Sequence, residues 1–181
     1  MNFFNVYEIE ILHSLQDTVQ CPFLDRLMPL ITSLANYGIF WILLAVVLLL
    51  FKRTRKIGLS MGIALILGLI VGNLILKPLT ARIRPYDFDP SILLLIPPEH
   101  EYSFPSGHTL ASFEGAVTIF MYNRKFGTAA LILAALIAFS RLYLMVHYPL
   151  DVFAGAVLGS VFTMAAVKGT NFIFKKNSTI L

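Results

Sequence analysis

The sequence predicts an all-α, polytopic transmembrane helical bundle of about five spans with an N-terminal interfacial helix, and three observations carry that expectation. Of its 181 residues, 57% are hydrophobic and only 13% are charged, whereas soluble domains run at about 45–50% apolar and about 25% charged. The apolar residues fall in separated runs close to the roughly 20 residues that cross a bilayer. Each run is closed by a basic cluster or a turn. A mean hydropathy of +0.79 excludes a disordered chain.

Residues 3–17 mix apolar side chains with Glu8, Glu10 and Asp17 over too short a length to span, which suits an amphipathic helix lying in the interface, His13 included. Cys21-Pro22 breaks it. Residues 28–51 are long enough for a first span bent at Asn36–Gly38; the alternative is a short surface helix followed by a shorter span. Lys52, Arg53, Arg55 and Lys56 close it, and residues 57–76 form the second. The polar, Pro-containing connection over 77–106 is longer than most connections and marks a functional loop. Residues 107–123 make a third span ending at Arg124-Lys125, residues 126–147 a fourth, and Pro149 restarts the chain into a fifth over about 151–173, followed by Lys175-Lys176. No internal repeat or low-complexity tract interrupts this pattern. Residues 1–181 are expected to form a single membrane-embedded domain with a catalytic core over 77–151.

A formal net charge of +4 and a pI of about 9.3 would suit a nucleic-acid binder, but the basic residues sit at the ends of apolar runs, where topology needs them. No nucleic-acid partner is expected. The three basic clusters close alternate span ends, so the positive-inside rule predicts a multi-pass cell-membrane protein with the N-terminus outside and the C-terminus cytoplasmic. The first residues lack a basic n-region and a small-residue cleavage site, so no cleaved signal peptide is expected. A single cysteine, Cys21, cannot form an intrachain disulfide.

The opposite face then receives nearly all the polar residues an enzyme would use: Lys77, Arg82, Arg84, Ser106, His108, Arg141, His147 and Asp151. Taken singly, a Lys or Arg at a span end is most often an interfacial anchor, and a lone His is most often a satisfied polar group. Three segments remote in sequence deliver these residues together, and ionisable groups at membrane depth are by default functional candidates.

As they stand the segments read Lys77-x6-Arg84-Pro85, then Pro105-Ser106-Gly107-His108, then Ser140-Arg141-x5-His147-x3-Asp151. This three-part pattern closely resembles the signature of the type 2 phosphatidic acid phosphatase superfamily, with every signature position filled in order. The resemblance implies a metal-independent phosphohydrolase that works through a phosphohistidine intermediate, with no cofactor and no metal. His147 would be the nucleophile, with Asp151 on its other ring nitrogen. His108 would be the general acid and later the base that activates water. Lys77, Arg84 and Arg141 would bind the phosphoryl oxygens, and the backbone N–H groups of Ser106 and Gly107 at a helix start would hold others. Tyr148-Pro149 makes an unbroken helix through 147–151 doubtful, so the His–Asp contact should cross a turn.

Residues outside the signature are expected to be bland. Arg82 is assigned to loop solvation or headgroup contact. His100, Glu99 and Glu101 are contiguous, without a remote partner, and make poor metal ligands. Glu114, six residues into the third span, is expected to find an interhelical hydrogen bond or a raised pKa.

An active site at the leaflet boundary favours an amphiphile with its phosphate at headgroup level and its tail in lipid: phosphatidic acid, phosphatidylglycerol phosphate or a polyprenyl diphosphate. Phe23-Leu24-Asp25 and the run His147-Tyr148-Pro149-Leu150-Asp151 look like the bacterial undecaprenyl-diphosphatases of the bacitracin-resistance type, which ranks undecaprenyl diphosphate first. A lipid phosphotransferase would use the same residues. In another class stands a non-catalytic protein that binds or carries lipid headgroups.

Overall fold

The computed structural model describes residues 2–178, and the described residues form helices joined by short turns and one long connection. Helix α1 (Asn2–Val19) is followed by α2 (Pro22–Ser33), α3 (Ile39–Leu50) and α4 (Arg55–Leu67), which runs on through a π-helical stretch, Gly68–Leu76, into α5 (Lys77–Thr80). One short turn, α6 (Pro85–Phe88), interrupts the connection before α7 (Gly107–Tyr122), α8 (Arg124–Tyr143) and α9 (Pro149–Ser178). Four stretches, Pro22–Leu50, Arg55–Phe88, Arg124–Tyr143 and Pro149–Lys175, are long and apolar enough to cross a bilayer. The chain is a multi-pass membrane protein.

Helix α7, the third expected span, has only 16 residues and is not among these four. It can be short because it lies against α8 and α9 along most of its length, with α4 also in contact, and does not have to face lipid throughout. Two glycines of α9 make that packing possible. A Cβ at Gly155 would come within 2.8 Å of the Ser106 carbonyl oxygen, and one at Gly159 within 2.6 Å of the Leu110 carbonyl oxygen. Backbone therefore meets backbone, as at small-residue crossings in membranes.

The first span breaks where Asn36–Gly38 suggests. Tyr37 and Gly38 take left-handed φ values of 54° and 67°, which stop α2 and restart the chain as α3. The helical stretch begins at Pro22 rather than near residue 28 because proline at the first helical position arrives with its φ already set and has no N–H to leave unpaired.

The second span also extends past its expected end. Helix persists through Thr80, so Lys77 belongs to the rod and not to the loop. Pro78 is tolerated because the π-widened turn before it shifts the hydrogen-bond register, with the Lys77 N–H reaching the Gly72 carbonyl. Ala81, at φ 43°, ends the rod. Where the π-helix begins, the Glu114 carboxyl packs directly on Gly68, filling the space a Cβ would need; Gly68 is the interhelical partner that Glu114 lacked in sequence.

The basic ends of the spans meet at one end of the bundle. Lys56 Nζ lies 4.9 Å from the centre of the Phe174 ring. The Ser60 hydroxyl lies 3.0 Å from that of Tyr122, which donates to Asn171 Oδ1 at 3.4 Å. Lys176 lies outside the residues whose side chains are described.

Gly159→Ala is expected to lower the thermal midpoint, because a methyl group there meets the Leu110 carbonyl oxygen, Phe113 Cβ and the Glu114 backbone nitrogen, none of them the end of a flexible side chain, a cost of about 1–3 kcal/mol. Gly169→Ala, with nothing within 4 Å of the new methyl, leaves it unchanged or slightly raised. Unfolding followed by circular dichroism in detergent distinguishes the two.

Candidate active site

Five structural ends meet at the pole opposite the basic clusters. Lys77 stands at the top of the α4–α5 rod, Arg84 just before α6, Ser106–His108 at the start of α7, Arg141 in the last turn of α8, and Asp151 in the first turn of α9. His147 belongs to the turn between α8 and α9, where Met145 takes a left-handed φ of 53°. The His147–Asp151 contact therefore does cross a turn.

All three cations are buried: Arg141 at 0% exposure, Arg84 at 1% and Lys77 at 6%. Charge taken out of water needs a partner, and the long connection supplies two. Glu99 bridges the guanidiniums, pairing with Arg141 Nη2 through one oxygen and lying 2.7 Å from Arg84 Nη2 with the other. Glu101 pairs with Lys77. Burial pushes the Glu99 carboxyl up, but the charges of Arg141 and Arg84 outweigh it and hold the group at about 2. It stays ionised at any ordinary pH.

The remaining guanidinium hydrogens are largely anchored. Arg84 Nε donates to the Glu101 carbonyl at 2.7 Å and Nη1 to the Val146 carbonyl at 2.9 Å, and Arg141 Nη1 donates to Thr32 Oγ1 at 2.6 Å. Arg84 Nη2 and Arg141 Nε have no aligned acceptor. Buried donors left open are costly, and here they lie among three cations. The arrangement is a cradle of three cations held by two carboxylates.

His147 is sealed at 1% exposure. Ser103 donates its hydroxyl hydrogen to Asp151 Oδ2, so its oxygen is available as acceptor for His147 Nδ1, 3.4 Å away. Asp151 Oδ2 itself lies 3.5 Å from Nδ1. These acceptors favour the tautomer protonated on Nδ1, leaving the Nε2 lone pair toward the cradle, 3.3 Å from Arg84 Nη1. Burial, followed by the charges of Arg84 and Arg141, pushes this imidazole well below its ordinary pKa. It is neutral at physiological pH.

His108 is half-buried, and its Nε2 meets Asn36 Oδ1 at 3.0 Å. Both imidazoles interact electrostatically with Glu99. A cavity of about 1090 Å³ begins at Lys77, Glu99, His108 and Arg141 and runs down past Gly62, Leu65 and Ile66 of α4. A polar head and an apolar tail thus find a continuous space. Gly107 lines it because a Cβ there would come within 3.3 Å of Asn73 Oδ1 and 3.9 Å of Lys77 Nζ.

Several expectations change. The Ser106 N–H is not open to an anion: it donates to the Asp151 carbonyl at 3.1 Å, while the Ser106 hydroxyl caps α7 by accepting from Thr109. The Ser106 cap reaches Thr109 and not Gly107, whose N–H stands at the first helical position. Arg82 serves neither loop solvation nor headgroups; it is 6% exposed and ion-paired to Asp151 and Glu8. Its two-residue spacing from Arg84 in an extended segment was the available signal, since alternate residues share a side. Glu99 and Glu101 are not bland, because buried cations draw in the nearest flexible carboxylates. Ser103 had no signal at all. His13 remains on α1, bonded to Asp89 at 2.8 Å. No cluster of metal-ligating side chains occurs among the described residues.

The PAP2 superfamily profile matches residues 54–175. The chain is 39% identical over 142 residues to an undecaprenyl-diphosphatase of Sulfolobus acidocaldarius, covering 77% of this chain and 68% of that one. It is 37% identical over 138 residues to the bacitracin transport permease protein BcrC of Bacillus licheniformis, covering 75% and 68%. Among solved structures, Aquifex aeolicus LpxE superposes with a TM-score of 0.75 at 27% identity, over 88% of this chain and 93% of that one. A PAP2-type phosphatidylglycerolphosphate phosphatase from Bacillus subtilis shares the fold at 24% identity and a TM-score of 0.75, over 94% and 87%.

Glu99→Gln removes the charge that competes for the cradle. Orthophosphate is expected to bind about tenfold more tightly, equivalent to about 1.4 kcal/mol, as measured by competitive inhibition or calorimetry on the purified protein.

Proposed function

Because this chain belongs to the PAP2 superfamily, we propose that it hydrolyses a phosphate from a membrane lipid phosphate or diphosphate, with undecaprenyl diphosphate as the first-ranked substrate. The observation that carries the reading is a cradle of three buried cations at the head of a cavity that continues along the apolar stretch of α4. The named relatives support the diphosphate: one is an undecaprenyl-diphosphatase. Charge bias supports an active site on the extracytoplasmic face.

In this reading Lys77, Arg84 and Arg141 hold the phosphoryl oxygens and stabilise the charge spread over them in the transition state. Gly107 lets the anion approach the start of α7, where backbone N–H groups and the helix dipole favour it. His147 attacks phosphorus through Nε2. The P–N bond forms as the P–O bond to the leaving group breaks, and Asp151 and Ser103 stabilise the charge appearing on the ring from the Nδ1 side. His108 protonates the departing oxygen and later takes a proton from the water that cleaves the phosphohistidine. Every charge that the transferring group needs is met by a side chain, so the chemistry proceeds without a metal. Transfer to a lipid hydroxyl instead of water would use the same groups.

Phosphate release in EDTA from undecaprenyl diphosphate, phosphatidic acid and phosphatidylglycerol phosphate ranks the substrates, and the first is expected to be fastest. His147→Ala should lose turnover almost completely while still binding lipid, because uncatalysed phosphate-ester hydrolysis is among the slowest reactions known. Retained turnover in that variant, or a strict Mg²⁺ requirement, overturns the mechanism.

The pH dependence carries its own sign. A folded pKa held below 6.5 keeps His147 neutral and nucleophilic as pH falls through that value; protonation removes the lone pair only at lower pH. The rate of phosphoenzyme formation is therefore expected to persist below pH 6.5 in rapid-quench experiments.

A further inference from the structure

We propose that Arg82 and Glu8 are positioning residues for phosphoryl transfer: with Asp151 they form a buried three-charge cluster that fixes the Asp151 carboxylate and leaves one negative charge behind His147. The inference rests on the reading of His147 as nucleophile. It joins residues within the family match to one before it, since Glu8 lies on α1, outside residues 54–175.

Each nitrogen of the Arg82 guanidinium has an acceptor. Nη1 donates to Asp151 Oδ1 at 2.6 Å, Nη2 to Glu8 and to Asn5 Oδ1 at 2.8 Å, and Nε to the same Asn5 oxygen at 3.2 Å. Its plane covers the Tyr148 ring, with Cζ 3.9 Å from the ring centre. Four of its five hydrogens go to Asn5, Glu8 and Asp151, which separates Arg82 from Lys77, Arg84 and Arg141. Its backbone carbonyl also accepts from the Ser103 N–H at 2.8 Å, and it is Ser103 whose hydroxyl reaches Asp151 Oδ2 and faces His147 Nδ1. One residue thus holds the Asp151 carboxylate twice, directly on Oδ1 and through Ser103 on Oδ2.

Glu8 changes what that carboxylate can do. An isolated Arg82–Asp151 pair would be neutral and would give little help to a cation forming next door. With Glu8, one guanidinium faces two carboxylates, so a negative charge is left over. Attack by Nε2 makes the His147 ring cationic, and that surplus charge stabilises it in a site of low dielectric. Glu8 Oε1 also accepts from the Leu150 N–H at 2.7 Å, which holds the start of α9, and with it Asp151, in register with α1. The N-terminal interfacial helix is a working part of the site.

The test uses the full-length protein with undecaprenyl diphosphate, measuring kcat, KM and the melting midpoint for Glu8→Gln, Arg82→Gln and Arg82→Lys. Glu8→Gln keeps the shape and removes the surplus charge, its single amide oxygen accepting from either Arg82 or the Leu150 N–H but not both. It is expected to keep KM and to lower the melting midpoint only slightly while kcat falls roughly 10-fold, the lower end of what loss of a supporting partner costs. Arg82→Gln should lower kcat by up to roughly 100-fold, and Arg82→Lys should recover part of it. If Arg82→Gln does not fold, Glu8→Gln alone decides. Wild-type kcat in a folded Glu8→Gln, or a loss confined to KM or to the melting midpoint, overturns the inference while the phosphatase reading stands. A wild-type protein that releases no phosphate from any lipid overturns both.

Discussion

Three cations buried at the rim of a hydrocarbon layer are tolerable only beside an anion, and that constraint organises the whole catalytic pole. Glu99 and Glu101 satisfy it, one carboxylate across Arg84 and Arg141 and the other on Lys77. In the proposed reading, binding exchanges one anion for another, and its electrostatic gain is the difference between phosphoryl oxygens and carboxylates rather than the full attraction of three bare cations.

The scaffold meets a second demand, that the starts of α7 and α9 lie almost in contact. Gly155 and Gly159 let the two backbones close up, and the Ser106 N–H then bonds the Asp151 carbonyl. Ser106 and Asp151 belong to different signature segments, and this single hydrogen bond locks them together. The π-helical stretch makes a comparable contribution on the other side by carrying Lys77 to the pole on a continuous rod.

Much of this was legible in the sequence because it depends on length, composition and local chain chemistry. The order of the apolar stretches follows from run length and basic closures, the break in the first span from Asn36-Tyr37-Gly38, and the turn before α9 from Tyr148-Pro149, whereas the first stretch starts earlier and the second ends later than run length alone suggests. The unread parts depend on partners remote in the chain. Nothing near Arg82 announces Glu8, 74 positions away, and nothing near Glu99 announces Arg141. The π-helix was equally invisible: Gly68 and Gly72 follow no period that distinguishes it from an ordinary turn, and Pro78 pointed toward a break. Ser106 misled for a different reason, since an N-cap and an anion ligand call for the same residue at the same place.

His147, Asp151, Arg84 and Arg141 are each at most 1% exposed, whereas His108 faces the cavity. In the proposed reading, protons and water reach these sealed groups by way of the cavity that His108 lines, and a lipid tail lodged in it would act as a stopper, so hydration there is governed by the occupant as much as by the protein.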